Sequence, residues 1–176
     1  MSRTYINEIL DTFSRKELDR VYYILEDLNH QFQFERHLAL KDIEIGELPL
    51  EWNSPQIIRK WEEAFAKVSD AEKRAIYFDQ YRWHVCSYEK VPYLELQAAR
   101  EAFDKVKKST LFFMYERTSK VQTFENAALM TATDLDSQQD IYIFDESFRW
   151  TYIHTHEPFI GPYFIWNDPK ANNSPA

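Results

Sequence analysis

The chain has 176 residues, 44% hydrophobic and 16% aromatic, with a formal charge of -8 and a pI near 5.2; this supports one sizeable core, and the acidity excludes non-specific binding to nucleic acid, whose affinity comes from Lys and Arg displacing counterions. A single cysteine, Cys86, excludes an intrachain disulfide and a Cys-rich zinc site, and only two glycines, Gly46 and Gly161, exclude glycine-rich phosphate loops and a G-x-S-x-G nucleophile elbow. The opening residues carry Asn7 and Glu8 where an export signal needs an unbroken apolar region, and the most apolar run, Leu111 to Tyr115, is far short of the ~20 residues of a membrane helix, so a soluble cytoplasmic protein is expected.

Tyr5, Ile6, Ile9, Leu10 and Phe13 fall at helical spacing, and Ser14 to Glu17 reads as a capping box opening a second helix. Along that helix Leu18, Val21, Tyr22, Leu25, Leu28 and Phe32 form an apolar stripe able to bury against its own domain, a partner or a second copy of the chain. Residues 1–40 are therefore expected to be a helical hairpin, 41–170 a core domain and 171–176 a flexible tail.

Ile43 to Ile45 alternates as a short strand before Pro49 and Trp52. Ser54-Pro55 predicts an N-cap with proline in the first turn of a helix whose face is Ile57, Ile58, Trp61, Phe65 and Val68. A capping box at Ser69 to Glu72 starts a further helix reaching about Gln80, and Arg82 to Tyr88 alternates as a strand with His84, Cys86 and Tyr88 on one face. Ala98, Ala99, Ala102, Phe103 and Val106 mark a helix ending in Lys105, Lys107 and Lys108, cations that suit the negative end of its dipole.

Strands follow at 110–116, 121–124, 140–144, 148–156 and 163–166, joined by short turns. The expectation is an α+β fold: a largely antiparallel sheet packed by helices that cover one face.

Several segments in matching order carry a resemblance. They are Lys60-Trp-Glu-Glu-Ala-Phe65, Trp83-His-Val-Cys-Ser-Tyr-Glu89, Phe124-Glu-Asn-Ala127, Asp140-Ile-Tyr-Ile-Phe-Asp-Glu146, Trp150-Thr-Tyr-Ile-His-Thr-His-Glu157 and Gly161-Pro-Tyr-Phe164. Over about residues 43–166 the chain resembles the domain-of-unknown-function family DUF4275 of Bacillus-type bacteria, with the helical N-terminus outside it. The resemblance implies a bacterial or prophage origin and a compact cytosolic domain. It brings no activity, so no residue inherits a catalytic role.

Two stretches could carry chemistry. In the strand 148–156, Phe148, Trp150, Tyr152, His154 and His156 share a face, and imidazoles ~7 Å apart on one face can converge on a zinc ion with a third ligand such as His84. The alternative is a packed aromatic face with each imidazole hydrogen-bonded. The second stretch, 131–146, holds Asp134, Asp136, Asp140, Asp145 and Glu146 with no Lys or Arg. It fails as a calcium loop, with Gln139 at the glycine position and Asp145 at the bidentate Glu position, and reads either as an acidic surface for a basic protein, with Trp150 as an aromatic anchor, or as an ordinary solvated loop whose charge serves solubility.

Cys86, two residues from His84, lacks the geometry of an activated nucleophile and reads as a small buried hydrophobe. The leading expectation is a non-enzymatic protein of the immunity, inhibitor or phage counter-defence type, binding a partner protein and needing no cofactor. The alternatives are a small metal-dependent or acid-base enzyme using His154, His156 and His84, and a protein that self-assembles through its N-terminal helices.

Overall fold

The computed structural model describes residues 2–116, 118–157 and 159–167, which places the expected tail 171–176 outside the described residues. Compactness divides the chain into two units, 1–37 and 38–176.

The first unit is helical. Helix α1 (Arg3–Asp11) opens on Ser2, whose side chain accepts a hydrogen bond from the Tyr5 N–H. Helix α2 (Arg15–Ala39) opens on the predicted capping box, Ser14 donating from its backbone N–H and its hydroxyl to Glu17 at 2.8 and 2.6 Å. α1 has no fully buried residue, and Leu10, Phe13 and Val21 of this unit are half-buried. Along α2, Leu18, Tyr22, Leu25, Leu28 and Phe32 are 39–57% exposed.

The second unit is built on a seven-stranded sheet in the order β1-β4-β3-β5-β6-β7-β2, every neighbouring pair antiparallel. Its strands are β1 (Glu44–Glu47), β2 (Leu94–Glu95), β3 (Leu111–Tyr115), β4 (Val121–Glu125), β5 (Ile141–Asp145), β6 (Trp150–His154) and β7 (Tyr163–Trp166). The fold is α+β, as the alternation of elements implies.

The helices do not lie on one face as expected. Helix α3 (Ser54–Phe65) covers one side, where Trp61 and Phe65 join Phe112, Tyr142, Phe144 and Ile153 in the main core cluster. Helix α6 (Leu96–Lys105) covers the other, its Phe103 ring lying 4.5 Å from Tyr152 and 5.8 Å from Trp150. The reason is in the strands: β5 and β6 are buried at both parities, and a strand apolar on both sides requires cover on both.

Local chemistry sets the helix ends. Asn53, one residue earlier than predicted, caps α3 by accepting from Gln56 N–H, which leaves the Ser54 hydroxyl to accept from Val121 N–H and tie the helix to β4. Helix α4 (Asp70–Ala75) begins on the predicted Ser69/Glu72 box but ends early, before Tyr77 takes a left-handed φ of 54°. At the end of α6 the Lys108 ammonium donates to the carbonyls of Phe103, Asp104 and Val106, the capping role its position suggested.

Two predicted strands change. Residues 82–88 alternate in the manner of a strand, yet they form helix α5 (His84–Ser87), because the Tyr77 reversal brings Tyr81, Arg82 and Trp83 carbonyls within reach of the amides three on. The predicted strand 148–156 shrinks to Trp150–His154. Phe148 has φ 52° and turns its ring to Phe112 and Phe144 on the α3 side, so only Trp150, Tyr152 and His154 keep a common face.

The α3 interface contains one polar contact inside the core. Trp61 Nε1 donates to the Thr151 hydroxyl at 3.0 Å, and that hydroxyl donates to the Ile143 carbonyl, so α3 is registered on β5 and β6 by direction as well as by volume. Trp61→Phe, which keeps a ring but removes the donor, is expected to lower unfolding free energy by about 1–3 kcal/mol, and Trp61→Ala by about 3–5 kcal/mol. Urea denaturation of the three proteins checks this, and equal stabilities for wild type and Trp61→Phe would remove the hydrogen bond from the account.

Candidate functional site

The acidic stretch is the first surprise, because most of its charge is turned inward. Asp134 is buried and accepts from Lys41 Nζ at 2.6 Å and from the Thr131 N–H at 2.7 Å, closing a turn that begins at Thr131. Asp136 takes both Arg100 nitrogens, at 2.6 and 3.1 Å, a bidentate pair that raises the guanidinium pKa further. Asp145, also buried, accepts from the Arg149 N–H and side chain and from Trp150 N–H, forming the β5–β6 turn.

Of the five acids, Asp136 and Glu146 are exposed, and Glu146 is the one with no part in these turns. Trp150 is buried, stacked on Phe164 at 5.6 Å, and cannot anchor a partner. Burial removes Trp150 as an anchor and takes Asp134 and Asp145 into the fold, while Asp136 and Glu146 stay exposed. The cations that pair with the stretch lie far off in sequence, so a local count of charge could not see them.

The fifth carboxylate, Asp140, is the hub of a polar cluster. It accepts from Trp83 Nε1 at 3.1 Å, from His156 N–H at 3.2 Å and from His156 Nδ1 at 2.8 Å. Behind it, Trp83 N–H donates to the Tyr142 hydroxyl, Tyr142 donates to Glu116, and Glu116 accepts from the backbone and side chain of Arg82, each at 2.7 Å. Burial raises the Glu116 pKa against the opposing pull of Tyr142 and Arg82, and drives the Tyr142 phenol well above its usual value. Around His156 stand the rings of Tyr81 at 5.0 Å and Trp83 at 5.9 Å, with His84 on their far side at 5.5 and 4.6 Å.

The three predicted histidines do not form one ligand set. His84 Nδ1–H donates to the Ile76 carbonyl at 2.7 Å from helix α5, and His156 lies beyond the end of β6 on Asp140. His154, still on the strand, faces the opposite side, where it lines a cleft of about 270 Å3 with Gln97, Arg100, Thr155, Glu157 and Pro162. Strand parity would place His154 and His156 together, but the strand stops between them. Among the described residues no group of three or more His, Cys, Asp or Glu is arranged to hold a metal.

His154 Nδ1 is buried without a hydrogen bond, and burial holds the imidazole pKa below its ordinary value, partly offset by a hydrogen bond that the ring donates to the Gln138 backbone carbonyl. Cys86 is fully buried, with its thiol pKa raised well above the usual range, as befits an inert core residue.

Sequence reasoning found His84, His156 and Asp140 but not Tyr81, Trp83, Arg82, Glu116 and Tyr142 as their companions. Arg82 lies 34 positions from Glu116 and Trp83 lies 57 from Asp140, and no spacing rule links them. The one available signal was the presence of polar groups, Glu116 and Tyr142, in or beside otherwise apolar runs.

With the geometry described, comparison with known proteins adds a family and nothing more specific. A family model described as a domain of unknown function (DUF4275) matches residues 32–164. Its start lies before residue 43, where the resemblance in the sequence begins, and takes in the end of α2. No curated protein and no solved structure matches. No described helix is long and apolar enough to cross a membrane.

The His154 environment sets a pH dependence. An imidazole whose folded pKa lies below the unfolded value of about 6.5 binds fewer protons in the native state, so stability is lost as pH falls below about 6.5. Glu116 acts with the opposite sign, because a raised carboxyl pKa favours the native state at low pH and withdraws that support as pH rises through it. The difference between wild type and His154→Gln isolates the histidine: between about pH 7.5 and 5 the wild type should lose more stability than the variant. Parallel losses in chemical denaturation would contradict this assignment.

Proposed function

The chain belongs to the DUF4275 family, and from that premise we propose that it is a protein-binding protein whose docking element is the N-terminal helical unit. The observation that carries the reading is the exposed apolar run of α2, with Leu18, Tyr22, Ile24, Leu25, Leu28 and Phe32 all open to solvent. A contiguous patch of that kind marks an interaction surface, because leaving it in water forgoes about 1.5–3 kcal/mol per large side chain. Residues 3–31 of the helices precede the family match, so the docking element is largely an addition to the shared domain.

An inhibitor or immunity mode of action fits this arrangement, since occlusion of a partner needs an interface and no catalytic group. The acidic stretch has a different part: its carboxylates hold the core unit together. Replacing Leu25→Asp and Leu28→Asp together should weaken capture of the partner by at least about 30-fold, the loss expected on placing charges in an interface core. Thermal unfolding of residues 38–176 within the same full chain should be unchanged. Crosslinking in host cells, compared between wild type and variant, provides the measurement, and undiminished capture would overturn the reading.

A second reading, acid-base chemistry, is favoured by one specific feature. Asp140 holds His156 through Nδ1, which leaves Nε2 as the lone-pair nitrogen, 3.5 Å from Glu157. Such a base must be accessible. Diethyl pyrocarbonate should then acylate His156 faster than His84 and lose that preference in Asp140→Asn, whereas an unreactive His156 would leave the pair as a structural clamp alone.

A further inference from the structure

We infer that the cleft beside His154 takes a primary ammonium group, held at its rim by the Glu157 carboxylate. The inference is independent of the α2 surface and shares only His156 with the acid-base reading. The cleft, about 270 Å3 in volume, lies between the start of α6 and the segment that follows β6. That is the volume of roughly nine waters at ~30 Å3 each, so its occupant is a small molecule or the end of one side chain.

The hydrogen-bonding side chains around the cleft are unbalanced in one direction. Its donors are spent inside the chain. Arg100 gives both terminal nitrogens to Asp136, at 2.6 and 3.1 Å, and Gln97 gives its amide to Glu101 at 3.1 Å. The Thr155 hydroxyl donates to the Ile160 carbonyl, and the Leu96 N–H donates to the Pro162 carbonyl at 2.9 Å.

The acceptors are not spent. His154 Nδ1, in the wall, has no hydrogen-bond partner. Glu157 has a side chain 47% exposed, and its Oε1 lies 3.5 Å from His156 Nε2. With the ring proton of His156 on Nδ1, toward Asp140, that nitrogen carries a lone pair, so two acceptors face each other with no hydrogen between them. A group made only of donors satisfies both, and an ammonium offers three N–H bonds and no acceptor.

Charge selects the same ligand. Arg100 resembles the start of an anion site, but its bidentate pair with Asp136 neutralises it. The start of α6 is no better suited to an anion, because its first N–H is taken and Glu95 stands immediately before it. The charge in the lining that remains to be balanced is that of Glu157, which attracts a cation and repels a carboxylate.

Titration of the isotope-labelled full chain with butylamine at about pH 8 should move the Gln97, Thr155 and Gly161 amide resonances along a saturating curve with a Kd in the millimolar range. Glu157→Gln, which keeps the size of the side chain and removes its charge, should raise that Kd at least about 10-fold while leaving thermal unfolding unchanged. Butanol, the neutral isostere, and butyrate, the anion, should give no saturable shift. Nα-acetyllysine amide separates two sources of the same group: binding at a similar Kd supports the site with a protein lysine as its ligand, and exclusion beside bound butylamine supports it with a free amine. No saturable shift with butylamine up to about 100 mM, or an equal response from Glu157→Gln or with butanol, would overturn the inference. Preferential acylation of His156 by diethyl pyrocarbonate in that same protein would confine the failure to the ammonium site and leave the acid-base reading standing.

Discussion

Glu116 sits buried at the end of β3, and a carboxylate in that position is tolerated only because Arg82 and Tyr142 donate to it. From this point a single line of hydrogen bonds runs through Tyr142 and Trp83 to Asp140 and His156. It ties the turn before α5 and the segment after β6 to the paired strands β3 and β5. Removing one member leaves its neighbour buried and unpaired, which costs about 1–3 kcal/mol at each broken step and more where a charge is stranded. The aromatic rings of Tyr81, Trp83, His84 and His156 pack around this line because it fixes their backbones.

The same rule explains the acidic segment. A net charge of -8 suggests a surface ready for a cation, yet Asp134, Asp136 and Asp145 each have a cationic or amide partner in the core unit. Carboxylates that accept backbone N–H groups stabilise turns, and those turns connect β5 to β6 and lead from β4 into β5. Net charge is a property of the whole surface, whereas the use of any one carboxylate depends on what the fold brings beside it.

The exposed apolar run of α2 follows from the opposite circumstance. In the core unit both faces of the sheet are covered, α3 on one and α6 on the other, and large apolar side chains find neighbours. The N-terminal unit has two helices and no second layer, and α1 has no fully buried residue. Exposed Leu and Phe on a helix of 25 residues are the basis of the proposed association outside the unit.

Sequence by itself determined the elements governed by nearby residues. The capping boxes at Ser14 and Ser69, the apolar stripe of α2, the turn at Asp145 and the near-continuous apolar strands β3, β5 and β6 were legible because each rests on contacts a few positions apart. The family, too, could be recognised from short segments in order. Tertiary structure alone decided the rest: α5 in place of an alternating strand, helices on both faces, His154 and His156 on opposite sides, and Asp140 as the centre of a cluster assembled from Trp83, Tyr142 and Glu116. The physical reason is that period and propensity describe a chain's preference over one turn or one strand, while strand ends, burial and charge pairing are set by partners tens of residues away.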